Sequence, residues 1–80
     1  MSTLDIKPTT TLAVSVRCVD DMLNVDLSDG RSISAPLEWF PKLRDATQAH
    51  RDNWRLIGGG VGIHWEDLDE DISVAGLLEQ

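Results

Sequence analysis

The chain's apolar and polar positions fall into distinct textures. From Leu12 they alternate: Leu12, Val14, Val16 and Cys18 share one side, and Ala13, Ser15 and Arg17 the other. Period-two alternation of this kind predicts a half-buried strand. Asp20-Asp21 supplies a polar turn, and Leu23, Val25 and Leu27 then alternate with Asn24, Asp26 and Ser28 in a second strand. The connection SDGR permits two registers. A two-residue loop at Asp29-Gly30 sets Asp26 opposite Ile33, an acid against an apolar residue. A three-residue loop, Ser28-Asp29-Gly30, sets Val25 opposite Ile33 and Leu23 opposite Ala35. Register follows the apolar face, so the second is expected, with Gly30 in the left-handed position of a bulged turn. The third strand then covers 31–35.

Pro36 ends the alternation. Over PLEWFPKLRDATQAHRDN the apolar residues Leu37, Phe40 and Leu43 recur at helical spacing. Pro41 suits a first helical turn, and Thr47 can cap a second short turn through His50-Arg51. A broken helix is expected. Residues 54–57 form another strand, Gly58-Gly59-Gly60 a turn and 61–65 a returning strand. An acidic loop follows. Ser73 caps a last short helix over 74–79, with Leu77 and Leu78 facing inward. The expected fold is α+β: an antiparallel sheet of about five strands (three-strand meander, helical segment, hairpin) with a short C-terminal helix. Residues 1–10, polar and Thr-rich, read as a loose tail, and residues 11–80 as one domain.

Composition narrows the function classes. The formal charge is -7, and all seven basic residues lie at or before Arg55; from Leu56 onward there are six acids and no Lys or Arg. Duplex affinity comes largely from basic side chains that release counterions, so direct nucleic-acid binding is not expected. One cysteine, Cys18, excludes an internal disulfide, and the opening MSTLDIKPTTT lacks the apolar region of a signal peptide. No apolar run reaches the roughly 20 residues that span a bilayer. A soluble cytoplasmic protein is expected.

The densest chemistry is HWEDLDED, residues 64–71. Asp67, Asp69 and Asp71 match the first ligand positions of a calcium loop, but Ile72 stands where the loop needs glycine and Leu78 where it needs a bidentate glutamate. Cys18, His50 and His64 have no zinc-site spacing. His64 could be a tuned base with Glu66 on the same side of an extended segment, yet no nucleophile or oxyanion hole accompanies it; a structural histidine bonded to a nearby carboxylate is the better reading. Gly58–Gly62 is followed by a strand, not by the helix a phosphate loop requires. No enzyme activity, metal or cofactor is therefore expected. Trp39, Phe40, Trp54 and Trp65 belong to the core of so short a chain, with one of them, Trp39 or Trp65, left partly exposed as an interface anchor.

Taken together, the motifs resemble a bacterial family known as domain of unknown function 2442. The stretches that carry the resemblance are SDGRSISAPLEWFPKLRDAT and NWRLIGGGVGIHWEDLDEDISVAGLL. The resemblance covers about residues 14–79. It implies a small bacterial α+β domain, often encoded beside a second small protein and acting as its antitoxin-like partner. Members commonly carry proline after the His-Trp pair; here Glu66 extends the acidic run. No helix-turn-helix fits within the chain. The expected function is a non-enzymatic interaction module that binds and neutralises a small basic protein, with Trp39, Trp65, Glu66, Asp67, Asp69, Glu70 and Asp71 as partner-binding residues. The alternatives are an acidic nucleic-acid mimic, such as a phage-borne inhibitor of a host nucleic-acid-binding protein, and a metal-binding domain or small metal-dependent enzyme. Strand pairing at the edge near residues 12–18 would allow a homodimer.

Overall fold

A computed structural model describes residues 11–79 of the chain; the expected tail over 1–10 lies outside the described residues. Two antiparallel three-stranded sheets form it. The first joins β1 (Ala13–Val19), β2 (Met22–Leu27) and β3 (Ser32–Pro36), and the second joins β4 (Trp54–Ile57), β5 (Gly62–Trp65) and β6 (Glu70–Ser73). Between them run a 3-10 turn (Leu37–Trp39), α1 (Pro41–Arg44) and α2 (Gln48–Asp52); α3 (Val74–Leu78) follows β6. The α+β class holds, but the single five-stranded sheet does not. The helical segment separates two sheets, and the acidic stretch supplies a sixth strand.

The first sheet follows its apolar face. Val25 lies opposite Ile33 and Leu23 opposite Ala35, with Gly30 at φ 93° closing the three-residue loop. Asp20 and Asp21 take φ 53° and 65°, the backbone of a two-residue hairpin turn whose twist matches that of the strands. In β1 the expected alternation breaks at its start. The register shifts between Ala13 and Ser15, which turns Val14 outward to 54 % exposure while Ala13 is buried. The irregularity is held from a distance: the Ala13 amide donates to the Gly60 carbonyl at 2.8 Å, joining the outer edge of β1 to the turn of the second sheet. Gly60 has φ 124°, and a Cβ there would stand 2.5 Å from the Ala13 oxygen. At the other end of β1, Gln48 Nε2 donates to the Cys18 carbonyl at 3.1 Å. The β1 edge is thus engaged at both ends.

The helical segment begins and ends as its residues require. Pro41 occupies the first turn of α1, and the Thr47 side chain accepts from the His50 amide to cap α2. Arg51 then closes the C-terminus of α1, donating from Nε to the Leu43 carbonyl at 2.8 Å and from Nη2 to the Arg44 carbonyl at 2.7 Å. Such carbonyls have no partner within the helix itself. Both sheets, the 3-10 turn, α1 and α3 contribute to one core, including Val16, Leu23, Val25, Leu37, Leu43, Ile63, Trp65, Ile72 and Leu77. Ser73 caps α3 through the Gly76 amide. Leu77 is buried, whereas Leu78, also expected to face inward, is exposed: a helix of five residues presents only a narrow stripe to the core.

Candidate functional site

The second sheet organises the acidic stretch. Its first hairpin pairs Ile57 with Gly62, so Val61 belongs to the turn and not to the returning strand. This register sets Arg55 opposite His64, and β6 sets Asp71 opposite His64 on the other side. Arg55, His64 and Asp71 therefore form one row across three strands, on the face away from buried Ile63 and Trp65. After Trp65 the chain makes a 3-10 turn (Glu66–Leu68), passes through Asp69 in the left-handed region at φ 51°, and enters β6. A short polar side chain is among the few that adopt this conformation at modest cost.

Side chains hold this turn in place. His64 Nδ1 contacts Asp71 Oδ1, and His64 Nε2 lies 3.0 Å from Glu66 Oε1. Arg55 Nη2 reaches the same Glu66 oxygen at 3.2 Å. Asn53 Nδ2 donates to Asp67 Oδ2 at 2.7 Å, and Lys42 Nζ donates to the Asp69 carbonyl at 2.9 Å. The hydrogen bond to Asp71, above all, raises the His64 pKa above the ordinary imidazole value; desolvation opposes it, and the hydrogen bond to Glu66 adds a further, smaller upward push.

The expected partner-binding residues separate accordingly. Trp65 is 0 % exposed, and its Nε1 donates to the Arg51 carbonyl at 3.0 Å. It is a core residue, so its expected role as an anchor is corrected: Trp65 shares its face with Ile63, and that face is the buried one. Trp39 is 52 % exposed. Glu66 and Asp71 sit at the surface but are joined to His64, and Asp67 is joined to Asn53. Among the described residues, the Asp69 and Glu70 side chains have no ion pair; Asp69 is exposed and Glu70 half-buried. Arg55, Asn53 and Lys42, which order the turn, escape a reading along the chain, because their roles depend on the hairpin register and on contacts between distant segments.

Among the described residues no group of three or more His, Cys, Asp or Glu is gathered to hold a metal ion. Glu66 and Asp71 take opposite nitrogens of His64 and do not converge on a common point. No helix among the described residues is long and apolar enough to cross a membrane.

The chain is similar to a protein of unknown function from Rhodospirillum rubrum ATCC 11170, whose crystal structure at 2.75 Å superimposes with a TM-score of 0.77 and 29 % sequence identity, over 89 % of this chain and 88 % of that one. No curated protein matches the sequence. A family model described as "Protein of unknown function (DUF2442)" matches residues 13–80, and the chain belongs to that family.

Proposed function

We propose that this chain is a non-enzymatic, antitoxin-like interaction module that acts in the cytoplasm, where it binds and neutralises a small basic protein. The observation that carries this reading is an exposed tryptophan close in sequence to a side chain that reaches the acidic turn. Trp39 is exposed on a 3-10 turn, and Lys42, three residues on, is bonded to the Asp69 carbonyl. A large exposed aromatic thus lies three residues before a lysine that is bonded to the backbone of the acidic turn. Tryptophan is enriched among residues that dominate binding energy, and complementary charge raises the rate of encounter. The ion pairs of Glu66 with Arg55 and His64 are surface pairs, a kind that typically adds little stability. They leave Glu66 able to exchange partners.

The test is co-expression with the product of the neighbouring gene. Copurification of the two proteins at micromolar concentration, with loss of the complex in Trp39→Ala, is the expected outcome. Absence of a complex, together with unchanged behaviour after Asp67, Asp69, Glu70 and Asp71→Ala, refutes the proposal.

A further inference from the structure

The arrangement around His64 raises a question of proton count. An ionised carboxylate only accepts hydrogen bonds, and a neutral imidazole carries one N–H. His64 has a carboxylate oxygen at each ring nitrogen, Asp71 at Nδ1 and Glu66 at Nε2. With both carboxylates ionised, satisfying both contacts takes two N–H groups, which only the imidazolium has. The charged groups that face the ring are Arg55 from β4, Glu66 from the 3-10 turn and Asp71 from β6. With His64 protonated, these four groups are neutral as a set. With His64 neutral, the set carries one net negative charge.

We propose that His64 is a proton-operated clasp for the acidic turn: the imidazolium holds Asp71 on β6 and Glu66 at the start of the turn together, and loss of one proton to solvent releases the Glu66 end. Asp71 keeps the remaining proton opposite it, on Nδ1, because among the described residues its side chain is bonded to the ring alone. Glu66 has a second partner in Arg55 at 3.2 Å and can turn to it alone. The turn is poised to respond, since the amide of Asp69 closes it on the Glu66 carbonyl over a long 3.4 Å. A rise in pH would therefore do two things at the acidic turn: loosen it at Glu66 and remove one positive charge beside it. The proposal concerns the chain by itself and stands whether or not a basic partner binds there.

Nuclear magnetic resonance of the full chain, titrated between about pH 5 and about pH 9, tests this directly. Nitrogen shifts of the His64 ring should report imidazolium below a midpoint that lies above 6.5, the ordinary imidazole value, and the Nδ1–H tautomer above it. The amides of residues 66–71 should shift with the same midpoint, and their hydrogen-exchange protection factors should fall as His64 loses its proton. Glu66→Gln, a change at an exposed side chain, should lower the His64 midpoint and reduce the movement of those amides. A midpoint at or below 6.5, an Nε2–H neutral form, or turn amides that do not follow His64 would overturn the clasp. So would a Glu66→Gln variant that titrates like the parent.

Discussion

Substituting Phe for Trp65 separates the two tryptophans that the sequence leaves equivalent. Trp65 is fully buried and donates its indole N–H to the Arg51 carbonyl at 3.0 Å. A buried tryptophan removes up to about 250 Å² from water, worth at most about 6 kcal/mol at ~25 cal/mol per Å². Truncation of such a residue to alanine costs about 3–5 kcal/mol. A chain of 80 residues has a total stability of only about 4–12 kcal/mol by typical per-residue values, so Trp65→Ala would remove a large share of it. Trp65→Phe is the measurable version. It gives up part of the ring volume and leaves the Arg51 carbonyl without its donor, together about 2–3 kcal/mol. For a domain of this size that lowers the melting temperature by roughly 10–20 °C. Trp39→Phe, at a half-exposed site, should cost about 0.5 kcal/mol or less. Thermal melting followed by far-ultraviolet circular dichroism reads both variants. Equal losses at the two positions, or a Trp65→Phe variant that melts within about 3 °C of the parent, would refute the assignment of Trp65 to the core.

Two further outcomes follow from single contacts. Gly60→Ala would push a Cβ to 2.5 Å from the Ala13 oxygen at a backbone φ of 124°, and should cost about 2–4 kcal/mol in urea denaturation; Gly59→Ala, at φ 75° with nothing within 4 Å, should cost about 1–2 kcal/mol, and equal losses would contradict the close approach of the two sheets. The raised His64 value links stability to pH: its contribution is fully present below the ordinary imidazole value of 6.5 and is lost as pH rises through the native value, so the melting temperature of the parent should fall relative to His64→Gln between about pH 6 and about pH 8, and a difference that stays constant or grows would reverse the sign.

Much of the first sheet is legible along the chain because one face is buried and the other wet. A slip of one residue in the β2–β3 hairpin would put Ile33 opposite Asp26, and the loop of Ser28, Asp29 and Gly30 avoids it. The caps at Thr47 and Ser73 and the start of α1 at Pro41 are legible for the same local reason. What is not legible is what distant residues impose. Val14 fits a regular strand by pattern, yet the irregularity beside it is fixed by Gly60, far along the chain. β6 hides in Glu70-Asp71-Ile72-Ser73 because acids are poor strand formers; pairing with β5 overrides that preference, and burial of Ile72 accompanies it. Five carboxylates in the six positions 66–71 suggest a uniform charged loop. Folding instead splits them: Glu66, Asp67 and Asp71 are held by His64, Arg55 and Asn53, while among the described residues the Asp69 and Glu70 side chains enter no ion pair.

The most direct test of the interaction module is calorimetric titration of the full chain with the purified neighbouring-gene product at low and high salt. Association at micromolar concentration or tighter is expected, weakened by salt, weakened further in Asp69→Asn with Glu70→Gln, and abolished in Trp39→Ala. Binding that ignores salt and survives both sets of substitutions would contradict it, as would no binding by a folded parent chain.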